Sequence, residues 1–281
     1  YYFDPHGGGD VGFDPEYPPT LEDAMRLRMR NTLLLQALES SDWGITPTRW
    51  QWSRQPEQYR RRISVIHEGV DTEVITPPRD NFKLTLPDGR TLSRSDEVIT
   101  YVSRNLEPYR GFPSFMRAAE VILKRRPKAI ILVVGGDDVS YGQRLPKGQS
   151  YRQVMLDEVD VDPKRIYFFG RVPYQRYLSI LKISSTHIYL TYPFVLSWSM
   201  LEAMASGCLI IGSNTAPVAE VIRDGKNGLL TDFFSPTAIA DRVDEVFKHP
   251  DRMAKLRDAA RRTIIQNYDL KRVTLPRQIS L

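Results

Sequence analysis

Cysteine is almost absent from this chain of 281 residues, which contains one, Cys208. A single cysteine excludes an internal disulfide framework and a metal site built on a cysteine cluster. Cys208 opens the short apolar run 208–211, which is typical of a small buried core residue. We therefore do not expect redox chemistry.

Long apolar runs and a leader pattern are also missing. No stretch approaches the roughly 18 uninterrupted apolar residues that a membrane span needs, and the start lacks the basic-then-apolar order of a signal peptide. The chain begins at Tyr1 rather than at methionine. From this start we expect a fragment, or a chain whose first segment is missing. The missing apolar run and leader pattern lead us to expect a cytoplasmic location.

Charge of one sign is not concentrated. The chain has 39 lysines and arginines against 34 acidic residues, a net charge of +5, and the basic residues cluster only at 60–62 and 124–126. This balance does not demand nucleic acid as a partner, because each triplet is typical of a solvated helix end. A basic surface also suits anionic substrates or an anionic membrane face, so we keep a peripheral membrane contact as an option.

The most informative stretch is residues 187–212. Its apolar runs 187–190 and 208–211 are short enough for buried strands, and a helix between them would end at Gly207. A strand–helix–strand unit implies a parallel sheet with right-handed crossovers, in which ligands collect beyond the carboxyl ends of the strands. The loop 191–199 holds that position, so we predict that it faces a ligand.

The helix after this loop is predicted to start at Ser197, Trp198 and Ser199. Free backbone N–H groups and the positive dipole end at a helix start would suit a phosphate. Glu202 lies three residues after Ser199. That spacing is equally consistent with a capping box, in which the carboxylate folds back onto the N-cap amide.

Two segments carry a family resemblance: LEAMASG at 201–207 and APVAEVIRDGKNGLL at 216–230. They resemble the nucleotide-sugar half of group 1 (family 4) glycosyltransferases, which are retaining enzymes. The resemblance implies an α/β chain of GT-B type, with two Rossmann-like domains around a cleft and the first domain incomplete here. It also implies a nucleotide-diphosphate sugar donor, a glycan, lipid or other acceptor, no cofactor and no required metal.

The resemblance assigns roles to residues around the central loop. Glu202 matches the family glutamate that holds the ribose hydroxyls of the donor. Eight positions upstream, where the family usually has a glutamate that contacts the donor sugar, this sequence has Phe194. We therefore expect Phe194, Ser197, Trp198, Ser199 and Glu202 in the nucleotide-sugar site, with the sugar contact unassigned.

Two arginines follow a strand predicted at 98–102. Two cations at the carboxyl end of a strand suit a diphosphate, because guanidinium groups bind phosphate oxygens and balance the charge on a leaving diphosphate. By resemblance, Arg104 and Arg110 occupy the family's arginine and lysine positions, and Gly111 its following glycine. We predict Arg104 and Arg110 as catalytic residues; the alternative is two surface arginines.

Other polar residues have weaker assignments. By resemblance, backbone groups of Arg171 and Val172 would contact the nucleotide base. Glu220 could reach the ribose or the sugar, and a surface glutamate is equally consistent with the sequence.

The histidines and short motifs leave alternatives open. His6 stands beside three glycines and could touch a substrate, although a plain loop residue is more usual. His67 and Glu68 could line the cleft or could belong to a linker. There is no Asp-x-Asp motif and no histidine cluster to contradict a site without metal. No G-x-G-x-x-G follows the 98–102 strand, which argues against a dinucleotide-binding dehydrogenase domain.

We expect the chain to divide into four segments. Residues 1–75 would be the end of an N-terminal acceptor-side domain with its crossover, and 76–96 a linker with a β-hairpin around Pro87, Asp88 and Gly89. Residues 97–269 would be the nucleotide-sugar-binding domain, and 270–281 a tail that crosses back. A helix is predicted at 20–39, with Thr20 as N-cap and Asp23 at the third helical position, the spacing of a capping box. Other predicted helices include 49–62, 151–158, 235–249 and 251–267. A non-catalytic nucleotide-sugar-binding module is the alternative function.

Overall fold

The computed structural model describes residues 3–281; the first two residues of the predicted N-terminal loop lie outside this range. After an irregular loop, the first part of the chain forms a small α/β unit whose two strands are parallel. Its elements are α1 (Leu21–Ser40), β1 (Gly44–Thr46), α2 (Arg49–Arg54), α3 (Glu57–Arg60) and β2 (Ile63–Val65).

The ends of these helices follow from particular residues. Helix α1 begins with a capping box, as predicted: the Thr20 hydroxyl accepts from the Asp23 N–H, and the Asp23 carboxylate accepts from the Thr20 N–H. The single helix predicted at 49–62 is wrong, because the chain turns at Gln55 and Pro56. Proline has no N–H to donate and forces the residue before it into an extended conformation.

The larger part of the chain forms a six-stranded parallel sheet with helices packed on its faces, which confirms the predicted α/β class. Its strands are β5 (Val98–Asn105), β6 (Ile130–Gly136), β7 (Ile166–Phe168), β8 (Thr186–Tyr189), β9 (Leu209–Ser213) and β10 (Leu229–Thr231). Its helices are α4 (Phe112–Arg125), α5 (Tyr151–Glu158), α6 (Tyr174–Ile183), α7 (Trp198–Ala205), α8 (Ala216–Ala219), α9 (Pro236–Lys248) and α10 (Pro250–Asn267).

The predicted hairpin precedes this sheet. Strands β3 (Leu84–Thr85) and β4 (Thr91–Leu92) are antiparallel on either side of the Pro87–Gly89 turn. Leu84, Leu86 and Leu92 are buried in one apolar cluster with residues of β5, β6 and α6. The hairpin therefore packs against β5, β6 and α6.

Helix α6 is not among the elements predicted from the sequence. It starts directly after Pro173 and buries Tyr177, Leu178 and Leu181, which share one face at helical spacing. This omission matters for the site, because α6 supplies two side chains to it.

The order of the strands fixes where a ligand can enter. Across the sheet the order is β10–β9–β8–β5–β6–β7, so the chain builds outward from β5 in one direction and from β8 in the other. The crevice between the carboxyl ends of β5 and β8 is the topological switch point, where ligands of such sheets bind. The loops 106–111 and 190–197 meet there.

The end of the chain lies against the crossover segment. It forms a π-helical turn (Leu270–Thr274) and α11 (Leu275–Ile279). From these two elements, the Thr274 hydroxyl donates to the Glu68 carbonyl at 3.0 Å, and the Gln278 amide donates to the His67 carbonyl at 3.3 Å. The segment limits 1–75, 76–96, 97–269 and 270–281 remain predictions. Within residues 3–281, no helix is both long enough and apolar enough to cross a bilayer.

Candidate functional site

Arg110 lies at the switch point with its side chain largely buried. Its Nη1 atom donates to the Thr191 hydroxyl at 2.9 Å, to the Val195 carbonyl at 3.0 Å and to the Tyr189 hydroxyl at 3.2 Å. These bonds tie the loop after β5 to the loop after β8. Its Nε and Nη2 atoms have no hydrogen-bond partner among residues 3–281, so they remain available to a ligand.

Phe194 is packed against this guanidinium. Its side chain is 3% exposed, and the Arg110 guanidinium carbon lies 4.6 Å from its ring centre. Tyr109 and Tyr141 contact the same ring edge-on, with centres at 5.4 and 5.0 Å. Phe194 thus holds Arg110 through a cation–π contact.

Gly111 and Arg104 flank Arg110 in different ways. Gly111 has a φ of +69°, and a Cβ atom there would lie 2.4 Å from the Leu190 Cβ, so only glycine fits. Arg104 is exposed near the end of β5. Its side chain has no hydrogen-bond or ionic partner in the described chain. The structure therefore places one buried and one free guanidinium at this edge of the sheet.

The N-terminus of α7 lies beside the same crevice. Ser197 is the N-cap, its hydroxyl accepts from the Ser199 N–H at 3.3 Å, and its own N–H donates to the Tyr189 hydroxyl at 2.8 Å. Trp198, the first helical residue, is 56% exposed, and its indole N–H makes a long bond of 3.5 Å to the Glu68 carboxylate. The crossover segment thus reaches the start of this helix.

The capping-box alternative for Glu202 is wrong. The N-cap is Ser197 rather than Ser199, and the Glu202 carboxylate accepts from two phenols of α6: Tyr174 to Oε1 at 2.8 Å and Tyr177 to Oε2 at 2.7 Å. Burial, and then the neighbouring Glu202, raises the pKa of Tyr177 well above its usual value, so its phenol stays a donor at neutral pH. Burial and Glu202 raise the pKa of Tyr174 as well.

Sequence analysis missed both tyrosines together with their helix. The periodic pattern of Tyr177, Leu178 and Leu181 after Pro173 could have predicted the helix. No sequence signal pairs its phenols with Glu202. Since each carboxylate oxygen has two lone pairs, each keeps one for a further donor.

Arg171 crosses the carboxyl ends of β5 and β6. Its Nη2 donates to the Asn105 side-chain oxygen at 2.9 Å and to the Asp138 carboxylate at 3.0 Å. A Cβ atom on Gly136 would lie 2.7 Å from both the Arg171 Nε and the Asn105 oxygen, so a larger residue there would displace these two side chains. Val172 is partly buried among apolar residues of the core. An open polar groove lies beside Arg171, under the loop 137–150.

Glu107 is a third residue of the site that was not predicted from the sequence. Its carboxylate is fully buried and accepts from three consecutive backbone N–H groups, those of Ser140, Tyr141 and Gly142, at 3.0–3.1 Å. It therefore pins the base of the loop 139–150 to the turn that leads into Arg110. A glutamate in a short loop gives no sequence signal for such a role.

Glu220 is exposed, in agreement with the surface alternative, and it binds another part of the chain. Its carboxylate accepts from the backbone N–H groups of Arg49 at 2.8 Å and Trp50 at 2.5 Å, at the start of α2. Helix starts favour negative charge. Glu220 thus connects the first α/β unit to the six-stranded domain.

The histidines lie in three different environments. His6 is an exposed loop residue. His67 is buried, its Nδ1 accepts from the Gly69 N–H at 3.0 Å, and burial lowers its pKa. His187 is enclosed within the sheet, where burial lowers its pKa to about 3. Within residues 3–281, no group of three or more histidine, cysteine or acidic side chains could hold a metal ion.

Two family models match the chain. The model for the Glycosyl transferase family 4 group matches residues 1–75, and that for Glycosyl transferases group 1 matches residues 88–263. An uncharacterized glycosyltransferase of Methanocaldococcus jannaschii is 26% identical over 75% of this chain and 50% of its own length. A D-inositol 3-phosphate glycosyltransferase of Corynebacterium glutamicum is 26% identical over 65% of this chain and 42% of its own length.

Solved structures show the same fold. HepE of Anabaena in complex with UDP-glucose superposes with a TM-score of 0.72 at 16% identity, covering 92% of this chain and 68% of HepE. Sucrose-phosphate synthase of Thermosynechococcus elongatus gives a TM-score of 0.72 at 19% identity, covering 93% and 63%. These similarities confirm the expected GT-B type of fold. The chain spans about half the length of the curated relatives it matches. With a group 1 family match across most of the six-stranded domain, the chain belongs to the group 1 glycosyltransferases.

Proposed function

We propose that this protein transfers a sugar from a nucleotide-diphosphate donor to a glycan, a lipid or another acceptor, with retention of anomeric configuration and without a required metal. One observation carries the proposal: the Glu202 carboxylate is held by two phenols beside a helix start at the ligand edge of the sheet. The UDP-glucose bound to HepE, a protein of the same fold, supports the choice of donor class.

Glu202 would bind the ribose of the donor. The Tyr174 and Tyr177 phenols take one lone pair on each carboxylate oxygen and fix its orientation, and the remaining lone pairs suit the two adjacent ribose hydroxyls. Hydrogen bonds to a charged acceptor are stronger than those between neutral groups. Tyr174 is 48% exposed, so it can move when a nucleotide enters.

The diphosphate would lie over the switch point. Arg104, the Nε and Nη2 atoms of Arg110 and the backbone N–H of Trp198 would supply donors there, since the N–H groups of Ser197 and Ser199 are already paired. These groups would stabilise the negative charge that develops on the diphosphate as its bond to the sugar breaks. Backbone groups of Arg171 and Val172 would contact the base.

A non-catalytic nucleotide-sugar-binding module is the second candidate. It is favoured by Phe194, which takes the place of a sugar-contacting glutamate and is buried against Arg110. The donor site would then bind a nucleotide sugar without promoting transfer.

The test incubates the protein with UDP-, ADP- and GDP-linked sugars and a panel of glycosides, with EDTA or with magnesium, and measures the release of nucleotide diphosphate. We expect release with at least one donor, in EDTA as in magnesium, and a product whose anomeric proton shows the configuration of the donor. Binding without release would support the binding module. An inverted product would refute retention, and binding that needs magnesium would refute the metal-free site.

A further inference from the structure

A groove at the outer end of the sheet is not used by the donor site. It lies at the carboxyl ends of β9 and β10, under the N-terminal loop, and has a volume of about 500 Å³. Its wall includes three aromatic rings and several polar side chains. We call it the aromatic groove, defined by Phe13, Asn214, Thr231, Asp232, Phe233 and Phe234.

We propose that the aromatic groove binds a neutral sugar residue of the acceptor. This inference rests on the proposed function, because it names the acceptor class of the same cleft. Strands β9 and β10 lie one and two positions beyond β8, on the side away from Arg104 and Arg171. With about 4.8 Å between strands, the groove starts roughly 5–10 Å from the switch point, which is the reach of one or two sugar rings.

The aromatic wall provides a fixed apolar surface. Phe234 is 44% exposed although its ring is held by Phe13, with centres 5.1 Å apart, and by Phe233 at 4.9 Å. The C–H faces of sugar rings pack on aromatic faces, which carry partial negative charge. An aromatic ring that is both held and exposed suits such a ligand.

Polar groups near this wall are left without partners. The Thr231 hydroxyl is buried and has no hydrogen-bond partner among residues 3–281. Since buried polar groups in folded proteins are normally paired, this hydroxyl is unusual. The Asn214 side-chain amide and Asp232 are exposed, and Asp232 accepts from the Phe234 N–H at 2.9 Å through Oδ1 only, so the amide and Oδ2 can bind a ligand from solvent. Sugar hydroxyls both donate and accept, so they match this mixture of donors and acceptors.

The charges of the groove favour a neutral ligand. Arg242 at its edge is already neutralised: its Nη1 donates to Glu245 at 2.8 Å, its Nη2 to Asp224 at 3.2 Å and its Nε to the Leu230 carbonyl at 3.0 Å. Asp232 adds a further negative charge. An anionic ligand would therefore find no unpaired cation in the described part of this groove.

The competing explanation is a latch. Phe13 could pack on Phe233 and Phe234 only to hold the N-terminal loop on the domain. A latch accounts for the ring contacts, but not for the exposed part of Phe234 or for the buried, unpaired hydroxyl of Thr231.

The test is saturation-transfer NMR of the protein with methyl α- and β-glycosides of glucose, galactose, mannose and N-acetylglucosamine. We expect at least one glycoside to bind at millimolar concentration. Phe234→Ala and Asn214→Ala should each weaken it about tenfold. Ile279→Ala, which removes a 76% exposed side chain from the C-terminal tail, is the control and should bind as the wild type does.

Three results would overturn the inference: no glycoside binds, the two groove variants bind as the wild type does, or Phe234→Ala loses thermal stability with unchanged glycoside binding, as a latch would. A titration with UDP, ADP and GDP separates this inference from the proposed function. Glycoside binding that depends on Phe234, without binding of any nucleotide, would refute the donor assignment and leave the groove standing. Nucleotide binding without glycoside binding would do the reverse.

Discussion

At the scale of single residues, the position of Glu202 could be predicted from the sequence and its surroundings could not. The LEAMA segment identifies the glutamate by its family resemblance. The phenols that bind its carboxylate belong to Tyr174 and Tyr177, which are more than twenty residues away along the chain. Such a pairing arises from the packing of α6 on α7. It leaves no local pattern, because tyrosine at helical spacing is equally typical of an ordinary core face.

The burial of Arg110 shows the same limit. The sequence places a cation after β5, but it does not reveal that Nη1 is committed to three oxygens of the facing loop. Phe194 contacts the same guanidinium, although the family usually has a glutamate at this position. The sequence thus predicts which residues gather at the switch point, and only the structure shows which of their atoms remain free.

We predict that Tyr177→Phe weakens the binding of the nucleotide diphosphate about tenfold, because one oxygen of Glu202 loses the donor that orients it. Tyr59→Phe is a matched control, since Tyr59 donates to Glu39 at 2.8 Å on the exposed surface. Isothermal titration of both variants checks the prediction. Equal affinities in the two variants would show that Tyr177 does not position the carboxylate.

We predict that Arg104→Ala weakens binding of a nucleoside diphosphate by about one to two decades and leaves binding of the nucleoside unchanged, because the guanidinium would contact only phosphate oxygens. Arg79→Ala is the control. Arg79 is exposed and lies two residues after Pro77. Pro77 lies against Gly207, at the end of the sheet opposite to the proposed site. Equal losses for nucleoside and diphosphate would mean that Arg104 acts through the fold.

At the scale of elements, apolar periodicity together with capping and turn residues predicted most of the helices and strands. The Thr20 capping box, the hairpin around Gly89 and the end of α7 at Gly207, whose φ is +77°, all appear as expected. Pro56 indicates the break between α2 and α3, although the helix predicted at 49–62 runs through it. Helix α6 is not predicted, because Pro173, which directly precedes it, is equally typical of a turn.

Strand β8 carries a titratable group whose effect on stability can be tested. Burial lowers the pKa of His187 to about 3, whereas the unfolded chain would titrate near 6.5. Between these values the unfolded state binds a proton that the native state does not, so stability falls as the pH drops below about 6.5. We predict that the native protein loses about 2 kcal/mol more than His187→Leu between pH 7 and pH 5.

Urea unfolding of both proteins at the two pH values measures this difference. His67 and the carboxylates are common to both proteins, so their contributions cancel in the comparison. Identical losses in the two proteins would mean that His187 is protonated in the native state.

At the scale of the whole molecule, contacts between distant parts of the chain join the first α/β unit to the six-stranded domain. Glu220 binds the start of α2, Phe13 packs on Phe233, and Thr274 binds the crossover at Glu68. The family resemblance predicted the fold. It could not predict the contacts themselves, because each joins segments from separate regions of the sequence.

The central claim is that Glu202 holds the ribose of the donor. Its most direct test is titration of the wild type, Glu202→Gln and the control Glu39→Gln with the best-binding nucleoside diphosphate and with its 2′-deoxy and 3′-deoxy analogues. The account predicts that Glu202→Gln binds the ribonucleotide more weakly and discriminates less between it and an analogue, with little change in melting temperature, while Glu39→Gln behaves as the wild type. Unchanged discrimination at both hydroxyls in Glu202→Gln would contradict it.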